Sequence, residues 1–474
     1  MAISLDVGAL AGQAMGLEQL SGRIDIFLAH IVSLSLAHCR EHVTATKQLN
    51  TKLRGRNPVE TGLAEHQFNG FVAITSIQSS RRPLGAGRQH EVAHAADQQC
   101  RMPRHQRHAR AQQGSDARIQ LRKQNIETHL LEIDPSWGAD GAGITLGGAT
   151  LRAFRTLGIL ELFLERGSAH DGLEITAPNG HLIETIPVAR VAGPDIPGSG
   201  AIMRPVLARI LSEKVVECGT RVRLGQTYDS IEPDADGVTV TFSDGSRDRF
   251  DLVIGADGLY SKVRQWLFPD APKPTYTGQG VWRAVVPRPA EARTIKMWVG
   301  PHLKAGLNPV SKDQAYLFLT EHSEQRQHID EGEQAIRLRS LLMDHFTAPM
   351  VQELAAQITE DSRVMYRPLD SLLLPRPWYR GRVVLIGDTV HATTPHLASG
   401  ACIGIEDAIV LAEVLGSHET VESAFEAFQN RRWERCRMVV DNSARLGEIE
   451  IQGGDKVEHA NLMRNSTIAL AQPI

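Results

Sequence analysis

Residues 381–415 read GRVVLIGDTVHATTPHLASGACIGIEDAIVLAEVL. Val383 to Ile386 is a four-residue apolar run closed by Gly387 and Asp388, which reads as a buried strand ending in a tight turn. Gly400 to Leu415 reads as a helix whose first turns are rich in glycine. The first amides of a helix have no intrahelical acceptor. Those of Gly400, Ala401 and Cys402 can therefore face an anion or an electron-rich ring edge, aided by the helix dipole. Asp388, at the strand end, is placed to bind hydroxyl groups. Glu406 and Asp407 follow on the same helix, and for Asp407 the plainer reading is a solvated helix charge.

The same architecture stands earlier, in DLVIGADGLYSKVRQWLF at residues 251–268. Asp251 to Ile254 is a buried strand, Gly255 to Gly258 a turn, and Ser261 to Trp266 the start of a helix. Open α/β sheets bind ligands at the carboxyl ends of such strands. Glycine lets the backbone approach a ligand closely, and Asp257 can accept a hydrogen bond from it, although GADG alone reads equally well as a plain turn. Upstream, NIETHLLEIDPSWGADGAGITLGG at 125–148 offers a strand, Ile126 to Ile133, carrying Glu132 near its end, then a glycine-rich turn. A carboxylate there is where a nucleotide-binding fold holds an adenosine ribose. Helices are expected over GATLRAFRTLGILELFLERG (148–167) and MRPVLARILSEKVVECG (203–219), and a hairpin at GVTVTFSDGS.

Bulk composition narrows the function class. The 474 residues are long enough for two or three domains, with 42 % hydrophobic and 22 % charged residues and a net charge of −4. That charge supplies no general field for nucleic acid or anionic membrane. Five dispersed cysteines without a CxxC pair point to reduced thiols and a cytoplasmic protein. The N-terminus lacks a basic n-region, and the apolar-leaning run from Ile24 to Ala37 is too short for a bilayer of about 30 Å.

Before residue 125 the composition changes. Residues 86–125 hold Val92, Met102, Ile119 and Leu121 as their only large aliphatic or Met side chains and no Phe, Tyr or Trp. Such a stretch cannot offset its ordering entropy. The excess of Arg over residues 81–123 has no interleaved aromatics for base stacking, so an unstructured segment is preferred to an RNA-binding arm. HEVAH, His90 to His94, matches the HExxH zinc pattern, but Asp97 and Cys100 stand where the extended motif needs Gly and His. A zinc hydrolase is thus a remote alternative. FNGFVAITSI, Phe68 to Ile77, reads as a possible strand, and residues 1–125 contain no assignable domain.

Taken together, GADGLYSKVR and GDTVHATTPHLASGACIGIEDA resemble the DG and GD motifs of the single-component flavin-dependent aromatic hydroxylases, the p-hydroxybenzoate and salicylate hydroxylase type. LLEIDPSWGADGAGI, MRPVLARIL and GVWRAVVP (280–287) fall in the same order, so the resemblance runs from about 126 to about 450. It implies an α/β fold: an FAD-binding Rossmann-like domain over 126–170, 200–265 and 371–450, an interleaved sheet-based substrate domain over 171–199 and 266–370, and a tail at 451–474. It also implies that Glu132 binds the adenosine ribose of FAD and that Gly143 and Arg204 lie beside the cofactor. Asp257 and Gly258 would serve FAD and NAD(P)H, Asp388 the ribityl chain, and Pro395 with Gly400, Ala401 and Cys402 the flavin ring. The implied chemistry is NAD(P)H-driven hydroxylation of a small aromatic molecule by O2 through a flavin hydroperoxide, in a monomer or homodimer. No general base identifies itself; His396 is a weak candidate and reads equally well as structural.

Two departures stand out. The family usually has Gly where Ala398 stands. It also opens with a strand, GxGxxG and a helix directly before the glutamate strand, and residues 95–125 hold none of these; LGAGRQHEV has His90 where the third glycine belongs. We therefore expect that the first ~125 residues arose by a frameshift, a rearrangement or a wrongly chosen start. A gene sequence with no GxGxxG in another frame before codon 126 contradicts the frameshift. A family-derived remnant with impaired FAD binding is the corresponding alternative. Pocket-forming aromatics are sought among Trp282, Trp298, Tyr316 and Phe318, with core packing the preferred reading, and the helix around 421–448 is expected on the FAD domain or on a second subunit.

Overall fold

A computed structural model describes residues 71–77 and 126–474, except 138 and 140, with backbone only at 71–77, 126 and 127. HEVAH and the Arg-rich segment lie outside the described residues. The central sheet has six strands in the order Tyr379–Arg380, Val383–Leu385, Leu252–Ala256, Phe71–Ile77, Ile126–Glu132, Arg221–Leu224. Leu252–Ala256 and Val383–Leu385 run parallel, as do Ile126–Glu132 and Arg221–Leu224. The apolar runs of Leu252–Ala256 and Val383–Leu385 suit strands covered on both faces.

The strand expected at 68–77 forms over Phe71–Ile77 and takes the middle of this sheet. It is antiparallel to both neighbours, with Phe71 opposite Ala256 and Ile77 opposite Ile126. Its carboxyl end therefore lies at the edge opposite Glu132 and Asp257. A parallel strand here would have delivered its following loop to the ligand edge; this one does not.

The expected single helix at 148–167 is two helices, Gly148–Leu157 and Leu160–Arg166. Gly158, with φ 68°, caps the first in the left-handed conformation, and the amides of Gly158 and Ile159 turn back to Arg155 O and Phe154 O. The main core joins these helices to Arg204–Glu217, Gly400–Ser417 and the central sheet through Leu151, Phe154, Leu211, Val253, Val384 and Ile409. Val421–Gln452 packs on the same core through Phe425, Phe428 and Val439.

A second sheet of seven strands draws on Leu173–Ile186 and Thr275–Ser371, in the order 364–371, 275–287, 314–322, 303–309, 295–299, 173–176, 182–186. Alternation along its strands gives it two unlike faces. Trp282, Ala284, Leu307, Leu317 and Leu319 pack with Leu338, Leu342 and Leu354 of the helices Glu331–His345 and Pro349–Ala356. Val285, Tyr316, Phe318 and Met365 cluster instead with Ala142, Ala201, Met203 and Val310. Trp282 and Trp298 are thus core, as preferred, and so is Tyr316, buried in the other cluster with Phe318 packed against it. Among the described residues, no helix is long and apolar enough to cross a membrane.

Candidate flavin site

The two turn motifs are held together side by side. At the end of Leu252–Ala256, Gly258 adopts φ 80° and donates its amide to Thr389 Oγ1 at 3.0 Å. Arg264, 2 % exposed, donates to Thr389 O at 2.7 Å and Leu259 O at 2.6 Å. A buried guanidinium bonded to carbonyls of both segments fixes their relative position. The motif quoted from sequence contained this Arg, but nothing in a linear reading shows that one of its partners, Thr389 O, lies 125 residues away.

Asp257 is buried, and its carboxylate is occupied. It accepts from Ser261 Oγ, from Lys262 N at 2.7 Å and from Val263 N at 3.0 Å, capping the short helix Lys262–Leu267. Burial pushes its pKa up, against the pull of these bonds. A cavity of about 710 Å³ opens beside it, lined by Tyr228, Ser230, Glu232, Lys262 and Trp266 among others. Tyr228 Oη is buried there without a hydrogen bond among the described residues, and burial pushes the phenol pKa up.

Asp388 opens the short helix Asp388–His391, directly after Gly387 at φ 61°. What fixes this turn is a buried ion network, and here the reading of Asp407 as a solvated charge is overturned. Asp407 and Glu406 are both 0 % exposed. Asp407 Oδ2 accepts from Gly387 N at 2.9 Å and lies 2.6 Å from His391 Nε2, while Oδ1 accepts from Arg432 Nε at 2.8 Å. Burial opposes the charges, but the pair prevails: His391 and Arg432 hold Asp407 at a pKa of about 2, and Asp407 raises His391 well above its ordinary value. Glu406 pairs with Arg432 at 3.1 Å and with Arg435 at 2.7 Å. Arg152 and Arg435 also donate to the last carbonyls of the helix Lys456–Ala471, tying the C-terminus to the network. The signal was available in sequence: in ACIGIEDAIVLAEVL the helix is apolar almost all round, so a charge inside it has no solvated face to occupy.

The remaining predicted residues spread along the edge. Glu132, 4 % exposed, ends its strand and accepts from Asp134 N at 2.6 Å. Arg204 starts the helix Arg204–Glu217, its Nε buried without a hydrogen bond among the described residues. Gly143 lies elsewhere than a purely cofactor-facing reading suggests: a Cβ on it would stand 2.6 Å from Tyr316 Cβ and 2.7 Å from Val310 Cγ1. Its bareness serves contact with the seven-stranded sheet. Pro395 begins the turn Pro395–Leu397, and Ala398 after it has φ 48°, the left-handed conformation for which Gly is suited. Gly400 begins the helix Gly400–Ser417 with no side-chain cap from Ser399, leaving the first-turn amides of Gly400, Ala401 and Cys402 for a ligand. Cys402 Sγ is buried 3.6 Å from Glu406 Oε1, and burial pushes its thiol pKa up. His396 has its side chain 2 % exposed, with Nδ1 2.8 Å from Thr394 Oγ1.

Arg204 Nε, buried without a hydrogen bond among the described residues, and the uncapped start of Gly400–Ser417 suit an anionic or electron-rich ligand such as FAD, whereas among the described residues no glycine-rich loop leaves the central strand at this edge.

The profile of the FAD binding domain family matches residues 114–443. Aurachin C monooxygenase/isomerase of Stigmatella aurantiaca is 31 % identical over 341 residues, covering 70 % of this chain and 85 % of that protein. The 3-hydroxybenzoate 6-hydroxylase of Polaromonas naphthalenivorans is 30 % identical over 368 residues, covering 75 % and 90 %. The structure of Klebsiella pneumoniae HpxO complexed with FAD and uric acid matches with a TM-score of 0.59 at 25 % identity, over 72 % of this chain and 86 % of that one. The chain belongs to the FAD-dependent monooxygenases of the aromatic-hydroxylase type.

Proposed function

We propose that the protein hydroxylates a small aromatic molecule, phenolic or related, consuming NAD(P)H and O2. The observation that carries this reading is the pair of strand-end turns at 255–258 and 387–389, joined by Gly258 N to Thr389 Oγ1 and by Arg264 to Thr389 O, in a chain of the FAD-dependent monooxygenase type. When bound, FAD reduced by NAD(P)H supplies O2 activation and transfers one oxygen atom to the ring, the other leaving as water.

The chain's own part is to bind, orient and exclude water. Glu132 takes the hydroxyls of the adenosine ribose, Asp388 those of the ribityl chain, and Arg204 a neighbouring anionic group. Asp257 and Gly258 shape the turn that FAD and NAD(P)H share, with the Asp257 carboxylate acting through its cap on 262–267. Tyr316 and Phe318, with ring centroids 5.6 Å apart and planes at 36° to each other, offer an apolar wall for an aromatic substrate. Arg283 Nε, 3.2 Å from Tyr316 Oη, sets the phenol's direction and gives that wall a polar end. In domain terms, 126–170, 200–265 and 371–450 hold FAD, and 171–199 with 266–370 cover the substrate. Cys402 and Cys436, buried and in no disulfide, suit a cytoplasmic setting.

The test is aerobic turnover of protein supplied with excess FAD, against a panel of hydroxybenzoates, phenols and hydroxylated N-heteroaromatics. The expected result is substrate-stimulated NAD(P)H oxidation with one ¹⁸O from ¹⁸O2 in the product. NAD(P)H consumption that no panel member stimulates, with no oxygenated product, contradicts the reading.

A further inference from the structure

Beyond residue 443, where the match to the FAD binding domain profile ends, the chain continues into the helix Lys456–Ala471. The last carbonyls of a helix have no intrahelical donors and carry the negative end of its dipole, so they attract cations. Two arginines from other helices converge on them. Arg152, of Gly148–Leu157, donates Nη1 to Ala471 O at 2.8 Å and Nη2 to Gln472 O at 3.0 Å and Leu470 O at 3.3 Å. Arg435, of Val421–Gln452, donates Nη1 to Ala469 O at 2.9 Å and Nη2 to Leu470 O at 2.8 Å. The Leu470 side chain is buried in the main core and anchors this run of carbonyls.

The same two guanidinium groups also face Glu406. Arg435 holds it with two parallel bonds, Nε to Oε2 and Nη2 to Oε1, both at 2.7 Å, and Arg152 Nη2 stands 3.8 Å from Oε1. Glu406 lies in the second turn of Gly400–Ser417, where its Oε1 accepts from Cys402 Sγ at 3.6 Å. Burial opposes its charge, but Arg432 and Arg435 hold its pKa below the ordinary value, so both bonds from Arg435 are charge-assisted. Arg432 then joins Glu406, at 3.1 Å, to Asp407, whose other oxygen takes the amide of Gly387. A continuous series of contacts thus runs from the carbonyls at 469–472 to the helix start at 400–402 and the turn at 387–388.

We propose that the segment 469–472 is a strap of the flavin site: by engaging Arg152 and Arg435 it fixes both on Glu406, and so sets the first turns of Gly400–Ser417. The proposal rests on the reading that the amides of 400–402 border the flavin. Arg152 and Arg435 are in this account positioning residues, acting on the site through Glu406. A guanidinium engaged on two sides has one orientation. Arg435 and Arg152 are 13 % and 24 % exposed in their side chains, close enough to the surface for donors that lose their carbonyls to turn to water. The grip on Glu406 then loosens, and the helix start with it.

The test uses the full chain and two variants. Leu470→Ala removes the apolar anchor of the strap and leaves every arginine in place. Arg152→Gln removes the fork that receives 470–472 and leaves Glu406 paired with Arg432 and Arg435. By hydrogen exchange with mass detection, without flavin, we expect the amides of 400–408 to exchange about tenfold faster in both variants, together with those of 456–471, while those of 252–256 are unchanged. Faster exchange at 456–471 alone is the result of simple fraying and overturns the proposal, as does equal acceleration in all three segments. A titration with FAD is the second readout: affinity should fall about tenfold in both variants. Unchanged affinity, in a wild type that binds FAD, overturns the coupling to the site. A wild type that binds no FAD contradicts the flavin reading instead, and the exchange at 400–408 then decides the strap.

Discussion

Ala398 is one of two non-glycine residues with positive φ among the described residues, the other being Trp137 at 42°. The family resemblance implies Gly at this position, and the φ of 48° agrees with that: an L side chain there meets its own carbonyl. Ala398→Gly is expected to raise stability by up to about 1 kcal/mol in urea unfolding, the strain relieved being partly offset by the extra freedom of the unfolded chain; unchanged or lowered stability argues against strain. Asp388 tests the cofactor directly. Asp388→Ala should weaken FAD binding by about 10- to 100-fold, the worth of a hydrogen bond to a charged group, without lowering the unfolding midpoint. An unaltered Kd removes Asp388 from the ribityl contact. Single residues such as these were legible because a turn or a strand end fixes their role locally. Gly143 was less so, since its contact with Tyr316 comes from the other sheet.

The strand–turn–helix units at 252–267 and 383–417 were legible for the same reason: apolar runs, glycines and caps are neighbours in the chain. What joins them was not. Asp407, His391 and Arg432 are 0 % exposed and come from three helices, and their pairing is visible only after folding. Removing one partner of such a network leaves the others buried and unpaired. Asp407→Asn is expected to cost about 3–5 kcal/mol of stability and to loosen the Gly387–Asp388 turn, measurable as a lower unfolding midpoint together with weaker FAD binding. A loss below about 1 kcal/mol contradicts the network as the anchor of this turn. The pH dependence has two limbs. Asp407, depressed to about 2, contributes stability that is present above the ordinary carboxylate pKa and is lost as pH falls through about 2. His391, raised well above 6.5, contributes stability that is complete below 6.5 and is lost as pH climbs through its raised value. The wild type should therefore lose more stability than Asp407→Asn at both extremes; parallel pH profiles contradict the assignment.

Taken as one molecule, the described residues of the chain build a six-stranded and a seven-stranded sheet with two smaller ones, and an antiparallel strand lies inside the six-stranded sheet. The sequence offered Phe68 to Ile77 as a possible strand but carried no information about its direction, which depends on pairing with the distant segments 126–131 and 252–256. Because Ile77 ends at the edge away from Glu132, the described structure offers no phosphate loop to FAD. Backbone donors to a pyrophosphate are worth about 1.5–3 kcal/mol each, so the loss of two weakens binding by about 10²- to 10⁴-fold relative to a chain that has the loop. The site is otherwise furnished, and binding should be weak and saturable. The direct test is a titration of the purified chain with FAD, followed by flavin absorbance and fluorescence. The account predicts a perturbed flavin spectrum saturating at one FAD per chain, with an affinity that Asp388→Ala lowers further. A spectrum that stays that of free FAD up to millimolar cofactor, in the wild type as in the variant, contradicts it.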